Sequence, residues 1–139
     1  MQRLFPRSPY ERLGGYVHLP RLIDKARLHR KGLLNGYNYK TVGFDKHLLA
    51  FLKIDPDDFE KAANELEHDT PILEWIREHA TRHAPEEIEQ WNQVMISRHP
   101  DTAAKKARFV HFLKEAGGEG RKDIRTYFDL IEFDEGRLK

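Results

Sequence analysis

The chain has 139 residues, of which 39% are hydrophobic, 11% aromatic and 34% charged. This composition is polar, yet it predicts a single folded globular domain over residues 1–139 rather than a disordered chain. Cysteine is absent, which excludes disulfides and thiolate chemistry. No stretch reaches the roughly 18 to 20 apolar residues that span a bilayer, and the start is too short for a secretory signal. We therefore expect a soluble, cytoplasmic protein that does not contact membranes.

Charge is distributed unevenly along the chain, although the formal net charge is only +1. Residues 1–53 contain 11 basic and 3 acidic residues, residues 54–100 contain 4 and 12, and residues 101–139 contain 9 and 8. The net charges of these segments are therefore +8, −8 and +1. Either a basic and an acidic layer meet in the fold or in a homodimer, or the N-terminal segment presents an anion-binding face.

The N-terminal third is predicted to contain an irregular arm, one helix and one turn. Prolines and glycines interrupt residues 1–18 too often for a long element. A helix is predicted from Leu19, where apolar residues take up helical spacing, to a stop at Gly32. The dipeptide Asn35-Gly36 favours a tight turn, so we expect a small β-hairpin or an ordered loop over residues 33–43.

The rest of the chain is predicted to be helical, which makes the fold class all-α with five to seven helices. Further helices are predicted to begin at Phe44, Asp55, Asp69 and Pro85, and another is predicted after a cap at Asp101 or Thr102. A last short helix or strand is predicted around Ile124. Trp75 and Trp91 are predicted to anchor the core, and Val110 and Leu113 to lie on a buried helix stripe. Residues 101–139 are interpreted as a C-terminal extension that packs on the domain.

Several blocks of the sequence resemble the bacterial family known as domain of unknown function 5069. The blocks are Leu19-Pro20-Arg21-Leu22-Ile23-Asp24-Lys25-Ala26-Arg27, Gly43-Phe44-Asp45, Phe51-Leu52-Lys53-Ile54-Asp55, Leu73-Glu74-Trp75, Glu86-Glu87-Ile88-Glu89 and Trp91-Asn92. This resemblance covers roughly residues 5–98, and it leaves the tail from Asp101 as an addition peculiar to this chain. The resemblance implies a compact helical domain in bacteria, and it implies no activity, catalytic residue or cofactor.

A candidate ligand site lies on the first predicted helix. Arg21, Asp24 and Lys25 fall on the arc opposite the core stripe, where Asp24 is predicted to pair with Arg21 or Arg27. This group is interpreted either as a structural ion pair or as a grip on a carboxylate or phosphate. Tyr37 and Tyr39 follow by one short loop and are added to the candidate site.

Other chemistry is supported only weakly by the sequence. His79 and His83 have the i,i+4 spacing of a metal-binding helix but lack an intervening glutamate, so we expect no metal and no cofactor. Acidic residues interleave the basic residues of the tail, so nucleic acid is not an expected partner.

The sequence thus predicts an uncharacterised binding or interaction module for a small anionic ligand or a protein partner. The alternative is a small enzyme that uses Arg21 and Asp24 with a tyrosine or histidine as the acid–base group.

Overall fold

The computed structural model describes residues 5–139, and helices account for more than half of the chain. Two short strands form an antiparallel hairpin, β1 (Arg12–Leu13) and β2 (Tyr16–Val17). The helices are α1 (Leu19–Arg30), α2 (Gly43–Leu52), α3 (Pro56–Glu65), α4 (Asp69–His79), α5 (Pro85–Ser97), α6 (Ala103–Glu115) and α7 (Tyr127–Asp134). The predicted mainly helical fold is therefore confirmed. Within residues 5–139, no helix has the length and apolar character that crossing a bilayer requires.

Helices begin and end where local side chains favour it. A carboxylate oxygen of Asp55 accepts two backbone N–H groups in the first turn of α3, and Pro56 occupies the first helical position. The hydroxyls of Thr102 and Thr126 cap α6 and α7 in the same way. Beyond α1, Gly32 adopts the left-handed conformation with a φ of +71°, which ends the helix at low steric cost.

The hairpin lies at residues 12–17, and of the two alternatives predicted for residues 33–43, a hairpin or an ordered loop, the structure has the loop. Its two turn residues, Gly14 and Gly15, have φ values of +60° and +89°, the left-handed backbone that tight hairpin turns require. Residues 1–4 of the predicted irregular arm lie outside the described residues.

The segment predicted as a hairpin or loop is a loop, and several of its polar groups bond to helices. Lys25 on α1 donates to the carbonyl of Asn38 at 2.9 Å. The Tyr39 hydroxyl donates to Glu60 on α3 at 2.8 Å. These bonds hold the backbone after the Asn35-Gly36 turn away from the pairing geometry of a strand.

The chain divides into two compact units, Met1–Gln90 and Trp91–Lys139. In the first unit, α1 packs against α3 and β1, and α4 packs against α3. The buried residues of this unit include Val17, Leu19, Leu22, Ile23, Leu48, Leu52, Phe59 and Ile72. In the second unit, Phe109, Leu113 and Ile124 form the centre of a cluster that α7 residues complete. The expectation of one domain over residues 1–139 stays a prediction.

Three aromatic or aliphatic positions differ in burial from the prediction. On α6, Leu113 is buried as predicted, but Val110 is 62% exposed and Phe109 is buried instead. Trp75 and Trp91 are half-buried rather than fully buried core anchors. The Trp75 ring stacks on His79 at a centroid distance of 4.3 Å, one turn along the outside of α4.

The basic and acidic segments of the sequence meet inside the first unit. Arg7 donates two hydrogen bonds to Asp69, at 2.6 and 3.0 Å, and Lys40 pairs with Asp57 at 2.7 Å. The guanidinium of Arg27 donates to backbone carbonyls at the C-terminal end of α3. Three N-terminal cations thus meet negative groups of α3 and α4 or of the chain just after α3: Arg7 and Lys40 pair with acids in first helical turns, and Arg27 binds carbonyls at a helix C-terminal end, which favours cations.

Candidate functional site

A cleft of about 290 Å³ opens on the first unit where the hairpin turn meets the C-terminal half of α4. The loop after α4 and the first turn of α5 form its other walls. It is lined by Gly14, Tyr16, Leu73, Ile76, Arg77, Ala80, Thr81, Arg82, His83 and Ile88. Its volume is near the lower end of the range for ligand sites, roughly 300 to 1,000 Å³. The cleft can therefore accommodate a small molecule.

Close backbone approach shapes the wall formed by the hairpin turn. A Cβ atom on Gly14 would lie 2.5 Å from the Cδ1 atom of Leu73, and one on Gly15 would lie 3.7 Å from Ile88. The absence of a side chain at Gly14 lets the turn pack directly on α4. This contact sets the width of the cleft on one side.

The loop after α4 is fixed against the end of α2. The backbone N–H of Thr81 donates to the carbonyl of Leu52 at 2.9 Å. The His83 ring stacks on Phe51 at 3.8 Å with an interplanar angle of 6°, and its Nε2 atom lies 2.8 Å from the Phe51 carbonyl. Since a carbonyl only accepts, Nε2 carries the hydrogen, and the other ring nitrogen, Nδ1, lies 3.6 Å from Glu87. The rim of the cleft is therefore held by backbone and ring contacts.

The charged side chains that line the cleft, Arg77 and Arg82, are both basic. Arg77 and Arg82 are both exposed, and across residues 5–139 neither forms an ion pair. The lining contains no aspartate or glutamate. Two guanidinium groups at the edge of an apolar cleft can donate several hydrogen bonds to a carboxylate or phosphate.

Three further cavities differ from this cleft in their charge. The cavity beside His29 and the cavity beside Trp75 both mix basic and acidic residues in their linings. The cavity in the second unit has Glu115 and Asp134 in its lining and no cation. Of these four surfaces, the cleft at Arg77 and Arg82 is the one suited to an anion.

Of the five residues of the predicted ligand site, the two cations are buried, and Asp24, Tyr37 and Tyr39 are half-buried. Arg21 is 2% exposed and Lys25 is 6% exposed. The guanidinium of Arg21 donates to the carbonyl of Arg7 at 3.1 Å, and its carbon atom lies 5.7 Å from the centre of the Tyr37 ring. The loop thus covers α1 as expected, but it encloses the cations rather than leaving them open to a ligand.

The ion pair predicted within α1 is replaced by a longer-range one. Asp24 accepts hydrogen bonds from the backbone N–H and the Nε atom of Arg7, at 2.8 and 3.0 Å. Arg27 instead reaches carbonyls of α3. The predicted pairing of Asp24 with Arg21 or Arg27 is therefore wrong, because the preceding segment brings a third arginine over the helix.

A buried charged cluster that the sequence did not reveal lies beside the predicted site. Asp45 on α2, only 1% exposed, lies 2.6 Å from Nε2 of His18 and 3.2 Å from Nζ of Lys25. The backbone N–H of Lys40 donates to its second oxygen at 3.0 Å. One carboxylate therefore joins the residue before α1, α1 itself and the loop after it.

Burial and hydrogen bonding shift the pKa values in this cluster in opposite directions. Burial alone would raise the pKa of Asp45, but the hydrogen bond from His18, the charge of Lys25 and the N–H of Lys40 together hold it below its usual value. Burial lowers the pKa of His18, which outweighs the opposite effect of Asp45. We infer that a neutral His18 donates its Nε2 hydrogen to an ionised Asp45.

This arrangement predicts acid sensitivity. Because the pKa of His18 is lowered by folding, the unfolded chain binds a proton at His18 that the folded chain does not, so stability falls as pH drops below about 6.5. Asparagine tolerates the φ of +70° at position 18, so the His18→Asn variant is suited to test this. The variant lacks the proton-binding group, so the slope of the free energy of unfolding against pH should decrease by at most about 1.4 kcal/mol per pH unit. Urea unfolding at pH 7.5, 6.0 and 5.0 measures the slope.

The control for this experiment is the His111→Asn variant, since His111 is an exposed histidine paired with Glu115. It also lacks one histidine, so its pH slope is the reference for the slope of the His18→Asn variant. Equal slopes in all three proteins would contradict a neutral, buried His18.

The remaining tyrosine and histidine candidates form an outer cluster or separate contacts. Burial and a hydrogen bond to Glu60 raise the pKa of Tyr39 above its usual value, and the His29 ring lies 4.8 Å from the Tyr39 ring. Tyr39 is therefore held as a neutral hydrogen-bond donor. His79 and His83 bond to different carbonyls, those of Trp75 and Phe51. In residues 5–139, no three histidine or acidic side chains gather in a way that could hold a metal ion.

The fold is thus a small helical unit with a cationic cleft, followed by a second helical unit. The model of the family described as Domain of unknown function (DUF5069) matches residues 3–137, and the chain therefore belongs to this family. The match includes the tail, so the interpretation of the segment from Asp101 as an addition peculiar to this chain is wrong. A search of curated proteins finds no match.

Proposed function

We propose that this protein binds a small organic anion in the cleft of the first unit, with Arg77 and Arg82 contacting the anionic group. The observation that supports this most directly is the charge of the lining, which contains two arginines without ion pairs in the described chain and no acid. The proposal keeps the predicted class of ligand. It transfers the contact from Arg21 and Lys25, whose charged groups are buried, to residues that solvent reaches.

A purely structural explanation of the two arginines makes a different prediction. Arg77 lies in the last turn of α4 and Arg82 follows it closely, and cations are favoured at the negative end of a helix. On that explanation their removal changes stability slightly and leaves anion binding unaffected. The same helix-end preference applies to Arg30 and Lys31 at the end of α1, which provides a matched comparison.

The test compares anion binding by three proteins. These are the wild type, the Arg77→Gln/Arg82→Gln variant and the control variant Arg30→Gln/Lys31→Gln, which loses the same charge at the end of another helix of the same unit. Titration calorimetry with hexanoate, benzoate and inorganic phosphate measures the affinity, and thermal melts check folding. We expect the wild type and the control to bind at least one probe, and the cleft variant to lose at least tenfold in affinity with a nearly unchanged melting temperature.

Two results would overturn the proposal. One is that none of the three probes binds to the wild type. The other is that the cleft variant and the control variant bind equally well, which would make Arg77 and Arg82 simple helix-end cations.

A further inference from the structure

The cleft offers more than positive charge to a ligand, because its interior is apolar. Tyr16 and Ile76 are 7% and 2% exposed, and Leu73 and Ile88 complete the apolar surface on two sides. The turn at Gly14 packs on Leu73 and closes that wall. An inorganic anion would leave this surface in contact with water, whereas a ligand with a hydrocarbon part would cover it.

The end of α4 limits where negative charge can lie in the cleft. The helix ends at His79, and Ala80 in the lining directly follows it. The last carbonyls of a helix carry a partial negative charge, which opposes an anion placed beside them. The anionic group of a ligand is therefore expected at the arginines, and the part of the ligand beside Ala80 is expected to be uncharged.

The two cations suit a planar anionic group. A guanidinium presents a fixed pair of N–H donors that matches the two oxygens of a carboxylate. The cleft volume of about 290 Å³ favours a compact ligand over a long-chain lipid.

We propose that the ligand is a monocarboxylate with a short aliphatic or aromatic body. This inference rests on the proposed function. The carboxylate binds Arg77 and Arg82 at the edge, and the body lies against Tyr16, Leu73 and Ile88.

The experiment measures affinity along a series of monocarboxylates: acetate, butanoate, hexanoate and benzoate, with inorganic phosphate as the multiply charged comparison. Each methylene that leaves water should tighten binding by about fourfold, so hexanoate should bind about fifteenfold more tightly than butanoate. Phosphate should bind more weakly than hexanoate. Titration calorimetry at constant ionic strength and pH 8, where phosphate is mainly a dianion, provides these values.

The Ile88→Thr variant tests the placement of the hydrocarbon part. Ile88 is half-buried, so the substitution should leave the fold intact while making one wall polar. We expect this variant to bind acetate with the affinity of the wild type. The increase in affinity for each added methylene should be smaller than in the wild type. The Ile131→Thr variant, at a half-buried isoleucine of the second unit, is the matched control and should keep the full gain.

The outcomes separate this inference from the function on which it rests. Binding of phosphate with an affinity equal to or above that of hexanoate, or carboxylate affinities independent of chain length, would overturn the monocarboxylate while leaving an anion-binding cleft. An unchanged gain per methylene in the Ile88→Thr variant would overturn the placement. Failure of every probe to bind would overturn the proposed function itself.

Discussion

Replacing Asp45 by alanine should lower the free energy of unfolding by about 3 to 5 kcal/mol, because the substitution leaves the buried ammonium of Lys25 without its carboxylate partner. His18 would lose its acceptor as well. Urea unfolding at pH 7.5 measures the change. The comparison is the Asp57→Ala variant, which removes a carboxylate that is 82% exposed and should cost only about 0 to 1 kcal/mol.

A double variant makes this prediction more specific. The Asp45→Ala/Lys25→Met protein removes both charges while keeping most of the length of the lysine side chain, so it should be more stable than Asp45→Ala alone. If the second substitution adds further destabilisation instead, the loss in the single variant comes from packing, and the account of a stranded charge is wrong.

The second large effect is expected at Arg21, where the structure and the predicted ligand site disagree most. Since Arg21 is 2% exposed, truncation to alanine should cost about 2 to 5 kcal/mol, the range for a large buried side chain. The Arg21→Met variant keeps the packed stem and loses the bond to the Arg7 carbonyl, so it should cost less, about 1 to 3 kcal/mol. Chemical unfolding of both variants provides the two values.

The same two variants also test the anion site predicted at Arg21, Asp24, Lys25, Tyr37 and Tyr39. Melts in the presence of phosphate and of hexanoate should show the same ligand stabilisation as in the wild type, apart from the lower starting temperature. Little loss of stability together with loss of anion binding would instead support a ligand contact at Arg21 and contradict its structural role.

The helices could be predicted from the sequence because their signals are local. The capping side chains of Asp55 and Thr102 bind backbone N–H groups two or three residues further along the chain. Both partners of each bond therefore lie in one short stretch of sequence. The sequence did not decide between a hairpin and a loop at residues 33–43 for a tertiary reason. A tight-turn dipeptide occurs at Asn35-Gly36, but the chain after it bonds through the Asn38 carbonyl and the Tyr39 hydroxyl to residues on two helices.

Both charged sites depend on contacts that no local pattern contains. Asp45 meets His18 across 27 residues and Lys25 across 20, and nothing in its own segment distinguishes it from an ordinary acid in a first helical turn. The cleft at Arg77 forms only because the turn at Gly14 packs on α4, and that turn was not predicted as part of a hairpin. The expected bacterial origin and cytoplasmic location stay predictions.

The meeting of basic and acidic segments in the first unit has a consequence for synthesis of the protein. A ribosome produces the 53 residues with net charge +8 before the 47 residues that contain Asp57 and Asp69. At about 5 to 20 residues per second, this interval lasts about 2 to 9 s. During that time the segment has three acidic residues for its 11 basic ones, among them Asp24 and Asp45, the partners of Arg7 and Lys25 in the folded chain. The nearest abundant negative charge is ribosomal RNA. We expect the acidic helices, once synthesised, to compete with ribosomal RNA for these cations.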